Sequence, residues 1–269
     1  MCSNTLANRV GIYSVTEYLY SPGTLHRRHA HSRDSVFIVL SGRVDERSGP
    51  LESTRLRSGG GFIPAGVEHE SSFGSAPVHG VTIGFDREWA RATGIDLDRA
   101  AATTYSDDDT LAITSLGLLG AGRQQHPAHT LAVEERIMEL LSRTINAGTA
   151  HTPHVDARRT SPKWLRTAVD YLSAASGAGV GLQEMSVAVG RNPAHICRAF
   201  RAHTGMSVSR YALALRVERA AVLLATTRRP LSMIALDSGF TDQAHLTRCF
   251  RSVLGTTPGE YRRSSPSLK

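Results

Sequence analysis

Cysteine is scarce in this 269-residue chain, with only Cys2, Cys197 and Cys249. Their spacing fits neither a disulfide framework nor a zinc-binding motif, so a reducing, cytoplasmic setting is expected. Long apolar runs are also lacking. No stretch approaches the ~18 residues needed to cross a bilayer, and no membrane partner is expected. The opening "MCSNTLANRVGIYSVTEYLY" lacks the basic start and apolar core of a signal peptide. Disorder is excluded by composition, which is 41% hydrophobic and 20% charged.

The second half of the chain is short of acid. Residues 163–269 hold 15 Lys+Arg against 6 Asp+Glu, a net +9, whereas residues 1–162 hold 16 against 18, a net −2. A basic surplus confined to one half points to a nucleic-acid partner for that half; a solvated basic surface is the plain alternative. The sign changes across "NAGTAHTPHVDARRTSP" (146–162), which is polar and has no apolar period. It reads as a linker between a domain at 1–145 and a domain at 163–269.

The basic half repeats itself. "AHICRAFR" (194–201) and "AHLTRCFR" (244–251) share five of eight residues, and Gly205 and Tyr211 recur as Gly255 and Tyr261 at the same offset of fifty. Upstream, Leu182, Met185 and Gly190 recur as Leu231, Ile234 and Gly239 at an offset of forty-nine. Two copies are too few for a solenoid and suggest a tandem pair of one small unit. Each unit reads as helix, glycine turn, helix. Asn192 caps the second helix of the first copy, with Pro193 at its first position. In the second copy Ser232 is the expected cap of the first helix, and Thr241 or Asp242 that of the second. "SRYALALRVERAAVLLATT" (209–227) has no Gly or Pro and should be one long connecting helix.

On a helical wheel Ile196, Ala199 and Phe200 turn inward in the first copy, as do Leu246, Cys249, Phe250 and Val253 in the second. The opposite face carries Ala194, Arg198 and Arg201, flanked by His195, and in the second copy Ala244, Arg248 and Arg251, flanked by His245. Gln243 stands at the exposed start, and Cys197 and Thr247 on the shoulder. An arginine there can pair with guanine O6 and N7, and the next one, a turn on, is placed for phosphate.

These residues, with "ALRVERAAVLL" (214–224) and "GFTDQAHLTRCFRSVLGTTPGEYR" (239–262), resemble the DNA-binding domain of the AraC/XylS family of bacterial transcription regulators over about residues 163–263. The resemblance implies double-stranded DNA as partner, read in two neighbouring major grooves. It maps base contacts onto Ala194, Cys197 and Arg198, then Gln243, Thr247 and Arg248. Ala194 departs from a polar pattern, so the second copy should supply at least as much base readout as the first.

The N-terminal half opens with short strand signals, "SVFIVLSG", "GGFIPAG" and "VHGVTIGF", followed from Asp86 by helical ones. In "AHTLAVEERIMELLSRTIN" (128–146), Leu131, Ile137, Leu140, Leu141 and Ile145 form an apolar stripe. It lies on its own domain or pairs with its twin in a homodimer, and we take it as the dimer helix. "GTLHRRHAHSRDSVFIVLSG" (23–42) and "PAGVEH" (64–69) resemble the two motifs of a cupin barrel over about residues 10–85. In metal cupins two histidines, a glutamate and a third histidine bind one ion; here the glutamate position falls at Ser35 or Val36. His29, His31 and His69 are the candidate effector site, and also the metal ligands if a metal is bound. No other cofactor is expected.

The fold class expected is thus α+β in two domains: a cupin-like β-barrel with following helices, then an all-α domain of two helix-turn-helix units joined by a long helix. The function expected is a non-enzymatic transcription regulator that senses a small-molecule effector and contacts RNA polymerase if it activates. The contrasting class is a metal-dependent cupin enzyme carrying a DNA-binding tail.

Overall fold

The computed structural model describes residues 8–10, 13–48, 51–55, 59–97, 104–106, 108, 110–123, 127–147, 162–174 and 181–265. The chain divides into two compact units, one within residues 1–156 and one at Ala157–Ser264. The expected linker at 146–162 lies outside the described residues from 148 to 161.

Among the described residues the first unit holds ten strands: β1 (Asn8–Val10), β2 (Tyr13–Tyr20), β3 (Leu25–His29), β4 (Asp34–Ser41), β5 (Val44–Ser48), β6 (Leu51–Arg55), β7 (Gly60–Ile63), β8 (His69–Phe73), β9 (Val78–Phe85) and β10 (Thr104–Ser106). It also holds α1 (Arg87–Ala92), α2 (Leu111–Arg123) and α3 (Pro127–Ala147). The strands form two sheets, ordered β1-β2-β9-β4-β7-β10 and β3-β8-β5-β6. Their pairings are antiparallel. Without β1 and β10 the two orders are those of an eight-stranded jelly roll. The expected cupin-like β-barrel is thus present as two packed sheets: among the described residues no strand pairing joins them. Side chains join them instead. Tyr18, Phe37, Val39, Ile63 and Val78 from the first sheet meet Val44 and Phe73 from the second in one buried cluster.

Burial follows from what covers each face. β5 and β8 alternate, with Val44, Glu46 and Ser48, and His69, Ser71 and Phe73, on the buried side. β4 is buried at every residue but its last, because α2 packs on the other face of its sheet. A strand covered on both faces loses its alternation. Tyr18 reaches across this sheet, and its hydroxyl donates to the Ile38 carbonyl at 3.4 Å. Gly80 leaves the room: a Cβ there would overlap the Tyr18 ring and stand 2.6 Å from the Ile38 oxygen. Gly80→Ala should therefore cost about 1–3 kcal/mol through overpacking, read as a lower urea midpoint. An unchanged midpoint would mean that the tyrosine swings aside freely.

α2 is buried almost all round, from Leu111 to Ala121, as a helix between two layers must be. One side meets the sheet and the other meets α3. Its last residue, Arg123, bonds the Glu17 carboxylate on β2, whose other oxygen lies 2.9 Å from His79 Nε2 on β9. That buried charge network pins the helix end to the sheet. α3 packs on α2, β7 and β10. Ile137, Leu140, Leu141 and Ile145 are fully buried there, and Leu131 is 64% exposed. This corrects the assignment of the stripe as a dimer helix: its apolar surface is spent inside its own domain.

The second unit is helical: α4 (Lys163–Ala174), α5 (Leu182–Val189), α6 (Pro193–Thr204), α7 (Val208–Thr226), α8 (Leu231–Asp237), α9 (Gln243–Leu254) and α10 (Pro258–Ser264). The turns after α5 and α8 use Gly190 at φ 63° and Gly239 at φ 82°, a left-handed conformation open chiefly to glycine. Asn192 caps α6 by accepting from Ala194 N–H, and Asp242 caps α9 by accepting from His245 N–H at 2.7 Å. α8 starts earlier than expected: Pro230 is its N-cap, and Ser232 lies inside the first turn. The φ of −55° at Pro230 already leads into the helix. α7 packs against α4, α6, α8, α9 and α10 and so forms the spine of the unit.

Candidate nucleic-acid interface and histidine cluster

α6 and α9 are two amphipathic helices of equal length with the same sidedness. Ile196, Phe200 and Thr204 are buried on one, and Leu246, Phe250 and Leu254 on the other. Ala199, Cys249 and Val253, expected inside, are only half-buried. Phe200 meets Tyr211 at 5.2 Å between ring centroids, and Phe250 meets Tyr261 at 5.3 Å, both near edge-on. The repeated tyrosines therefore anchor the repeated phenylalanines, which sets both helices down on the unit in the same way.

The outward faces correspond as well. Ala194, His195, Cys197, Arg198 and Arg201 are exposed on α6, as are Gln243, Ala244, Arg248 and Arg251 on α9, with His245 and Thr247 half-buried. Four arginines at matched positions present guanidinium groups suited to guanine edges and phosphates. The Asp242 carboxyl sits below its ordinary pKa, first through the His245 N–H bond, with the Arg248 charge adding to the effect.

Three expected readers have prior engagements. His195 packs edge-on against Trp164 of α4 at 5.5 Å. His245 packs edge-on against Phe240 at 5.3 Å, and its Nδ1 lies 3.0 Å from the Thr241 hydroxyl. The Thr247 hydroxyl donates to the Gln243 carbonyl at 2.8 Å. The two histidines thus brace each helix against an aromatic ring. Trp164 and Phe240 were missed in the sequence as supports of this surface, because neither belongs to the repeated string.

The histidine cluster is built by a slip in strand pairing. β3 and β8 pair His26 with Ser71, but next pair His29 with His69, with a register shift between. One extra residue on β3 puts Arg27 and Arg28 together opposite Glu70. His26 and His29 are three apart and would face opposite sides of a regular strand. The bulge returns His29 to the side of His69. Arg27 and Arg28 are accordingly both exposed, and His26 and His29 both half-buried. His31 follows in the loop, where its carbonyl accepts from Gly66 N–H at 2.9 Å. The ring centroids of His29, His31 and His69 lie 4.3–4.9 Å apart, and one ring nitrogen from each lies within 4.8 Å of the others.

Two of the three rings are oriented by backbone. His29 Nδ1 lies 2.8 Å from the Arg27 carbonyl and His69 Nδ1 3.2 Å from the Val67 carbonyl. A nitrogen facing a carbonyl carries a proton, so in the neutral form of either ring it is Nε2 that has the lone pair. Burial first, then the neighbouring imidazoles, pushes His31 down to about 4. Burial also lowers His69. The cluster residues expected from the sequence are therefore brought together. Asp34, near the absent glutamate position, is turned to Arg87 and to the Ala65 N–H instead.

No helix among the described residues is long and apolar enough to cross a membrane. A helix-turn-helix domain model matches residues 185–264. The chain is 36% identical over 86 residues to the transcriptional regulator Rob of Salmonella typhimurium, covering 32% of this chain and 30% of that protein. It is 34% identical over 71 residues to the arabinose operon regulatory protein of Escherichia coli, covering 26% and 24%. The chain thus spans less than a third of the length of these curated relatives. Among solved structures it is similar to fatty-acid-bound ToxT of Vibrio cholerae, with 12% identity, a TM-score of 0.39, and 96% of this chain and 97% of that one covered. It is also similar to the C-terminal domain of AraT, a response regulator of Geobacillus stearothermophilus, with 24% identity, a TM-score of 0.38, and 39% and 88% covered. With its glycine-turned helix pairs, its matched outward faces and the match over residues 185–264, the second unit carries a helix-turn-helix domain similar to that of AraC/XylS-family regulators.

Proposed function

We propose that the chain is a sequence-specific DNA-binding transcription regulator that reads two neighbouring major grooves with α6 and α9. The observation that carries this reading is the repeated exposed face: Arg198 and Arg201 on one helix, Arg248 and Arg251 on the other, on a half of the chain with a net charge of +9. Arg198 and Arg248 read base edges, with Gln243, Cys197 and Thr247 beside them. Ala194 touches at most a thymine methyl. Arg201 and Arg251 hold phosphates. His195 and His245 fix the tilt of their helices and reach bases only with their outer ring edges. One chain supplies both readers, so a single copy suffices for two grooves; a homodimer would use a surface other than the α3 stripe.

The first unit is the sensor in this reading. Its strand order is one that cupins share with other jelly rolls, and His29, His31 and His69 form its ligand site. An effector acts only through different affinity for the two DNA-binding states. Contact with RNA polymerase follows if the DNA site lies where it activates.

The test is a footprint of the full-length protein on the DNA flanking its own gene. Protection of two major grooves on one face, ~34 Å apart, is expected. With 6–10 phosphate contacts, affinity should fall about 10³–10⁵-fold between roughly 50 and 200 mM salt. Binding that is indifferent to salt, or no protected site above competitor DNA, would sink the reading.

A further inference from the structure

The two recognition helices are braced by rings of different origin. In the second copy the brace is local. The turn "GFTD" (239–242) places Phe240 and Thr241 between the turn glycine and the cap Asp242. Phe240 is buried, and its N–H donates to the Ala235 carbonyl of α8 at 2.9 Å. Its ring meets His245 nearly perpendicular, and the Thr241 hydroxyl lies 3.0 Å from Nδ1 of the same imidazole. The first copy has one residue fewer here. Its turn "GRN" (190–192) offers Arg191 where the second copy has Phe240 and Thr241. The ring that meets His195 comes instead from Trp164, at 5.5 Å between centroids. Trp164 lies in the first turn of α4, outside the repeated unit. The Pro162 carbonyl accepts from the N–H groups of Leu165 and Arg166, at 2.9 and 3.3 Å, which sets the start of that helix. Leu165, Ala168, Val169 and Leu172 form its buried stripe, and α4 packs on α5 and α7. Trp164 stands at the shoulder of the stripe and is half-buried. Its contact with His195 is what it adds beyond that stripe.

We propose that Trp164 is a positioning residue for reading the first major groove. It acts through His195 to fix the seat of α6, so that readout depends on α4, whereas α9 reads the second groove on a brace of its own. The two readers are thus alike in their outward faces and unlike in what holds them. α4 is the first helix of the second unit. The first reader is therefore tied to the point where the chain enters that unit, and the second is not. This deepens the regulator reading and rests on it for the assignment of the grooves. An edge-on ring pair contributes roughly 2- to 12-fold to an equilibrium, and that is the scale of effect expected at the first groove.

The experiment uses the full-length protein and three duplexes: the footprinted site, the same site with the base pairs under α6 scrambled, and the same site with those under α9 scrambled. Arg198→Ala and Arg248→Ala assign the two grooves by the protection that each weakens. Trp164→Ala should lower affinity for the footprinted site and for the α9-scrambled duplex by about 2- to 12-fold, and leave the α6-scrambled duplex unchanged. A merely structural role would weaken all three alike, and that result overturns the proposal. His195→Ala should give the same pattern, and the double variant should lose no more than either single one, because each removes the same interaction. Additive losses overturn it too. Trp164→Phe keeps a ring and should recover most of the affinity. Amide hydrogen exchange without DNA supplies a second measurement, and it covers the case in which Trp164→Ala fails to fold, since His195 is exposed. In His195→Ala the α6 amides should exchange faster while those of α9 keep their protection. Unchanged exchange in α6 refutes the brace even if the chain reads DNA as proposed. Faster exchange confined to α6, in a chain that protects no DNA site, upholds the brace and refutes the regulator reading alone.

Discussion

A chain carrying both Ile137→Glu and Leu140→Glu is expected to lose the cooperative unfolding of its first unit, and not to run as a folded, smaller species. Both residues are fully buried on α3, against α2 and the β7–β10 edge of the sheet. An ionised carboxylate buried without a partner costs several kcal/mol, and two would take most of the ~5–15 kcal/mol that holds a domain together. The measurement is near-UV circular dichroism with thermal melting, followed by size-exclusion chromatography. Leu140→Ala gives the graded version: a cavity costing about 2–5 kcal/mol, with no change in association state. A folded double variant that elutes later than the wild type would restore α3 as an interface helix.

The stripe on α3 shows where sequence reading reaches its limit. Periodicity says that Ile137, Leu140, Leu141 and Ile145 must be covered, and they are. It does not say by what. α2 supplies the cover, and its own pattern is nearly apolar on every side because it lies between two layers. In the second unit the signals are local, which made that half legible. Asn192, Pro193, Gly190 and Gly239 each act within a few residues of where they stand, and the spacing of Ile196 and Phe200 is the spacing of one helix face. The sidedness of the His195 and His245 rings was not legible, since Trp164 and Phe240 approach from outside the repeated helices.

The histidine cluster was legible by residue type but not by geometry. His29, His31 and His69 stand out in the string, yet a one-residue bulge leaves no mark in composition or alternation, and without it His29 would face away. Whether the cupin-like strands close into a barrel or stay as two sheets was not legible for a related reason. Short, evenly spaced strands fit both a barrel and a two-sheet jelly roll. The choice depends on which strands pair, such as β2 with β9 and β3 with β8, and those partners are far apart in the chain.

Arg248→Ala is expected to reduce affinity for the cognate DNA site by on the order of 1–3 kcal/mol, roughly 5- to 150-fold, and to relax preference at one base pair. Arg248 is exposed at mid-helix on α9, one turn beyond Gln243 and Ala244 at the open N-terminal end. A recognition helix enters the major groove with that end, so in the proposed reading Arg248 meets a base edge. Arg251 sits in the last turn, further along the axis, where a phosphate is the available acceptor. Arg251→Ala should therefore weaken cognate and random DNA about equally and lower the salt slope by about 1. The same pair on α6 extends the test. Arg198→Ala should cost no more than Arg248→Ala, because Ala194 and Cys197 leave that helix fewer polar contacts with which to fix its register. Titrations of each variant against the footprinted site and a scrambled duplex, at two salt concentrations, separate the roles. If Arg248→Ala and Arg251→Ala lower specific and nonspecific binding in equal proportion, the outward face of α9 does not read bases. The sequence preference would then have to come from the shape of the DNA.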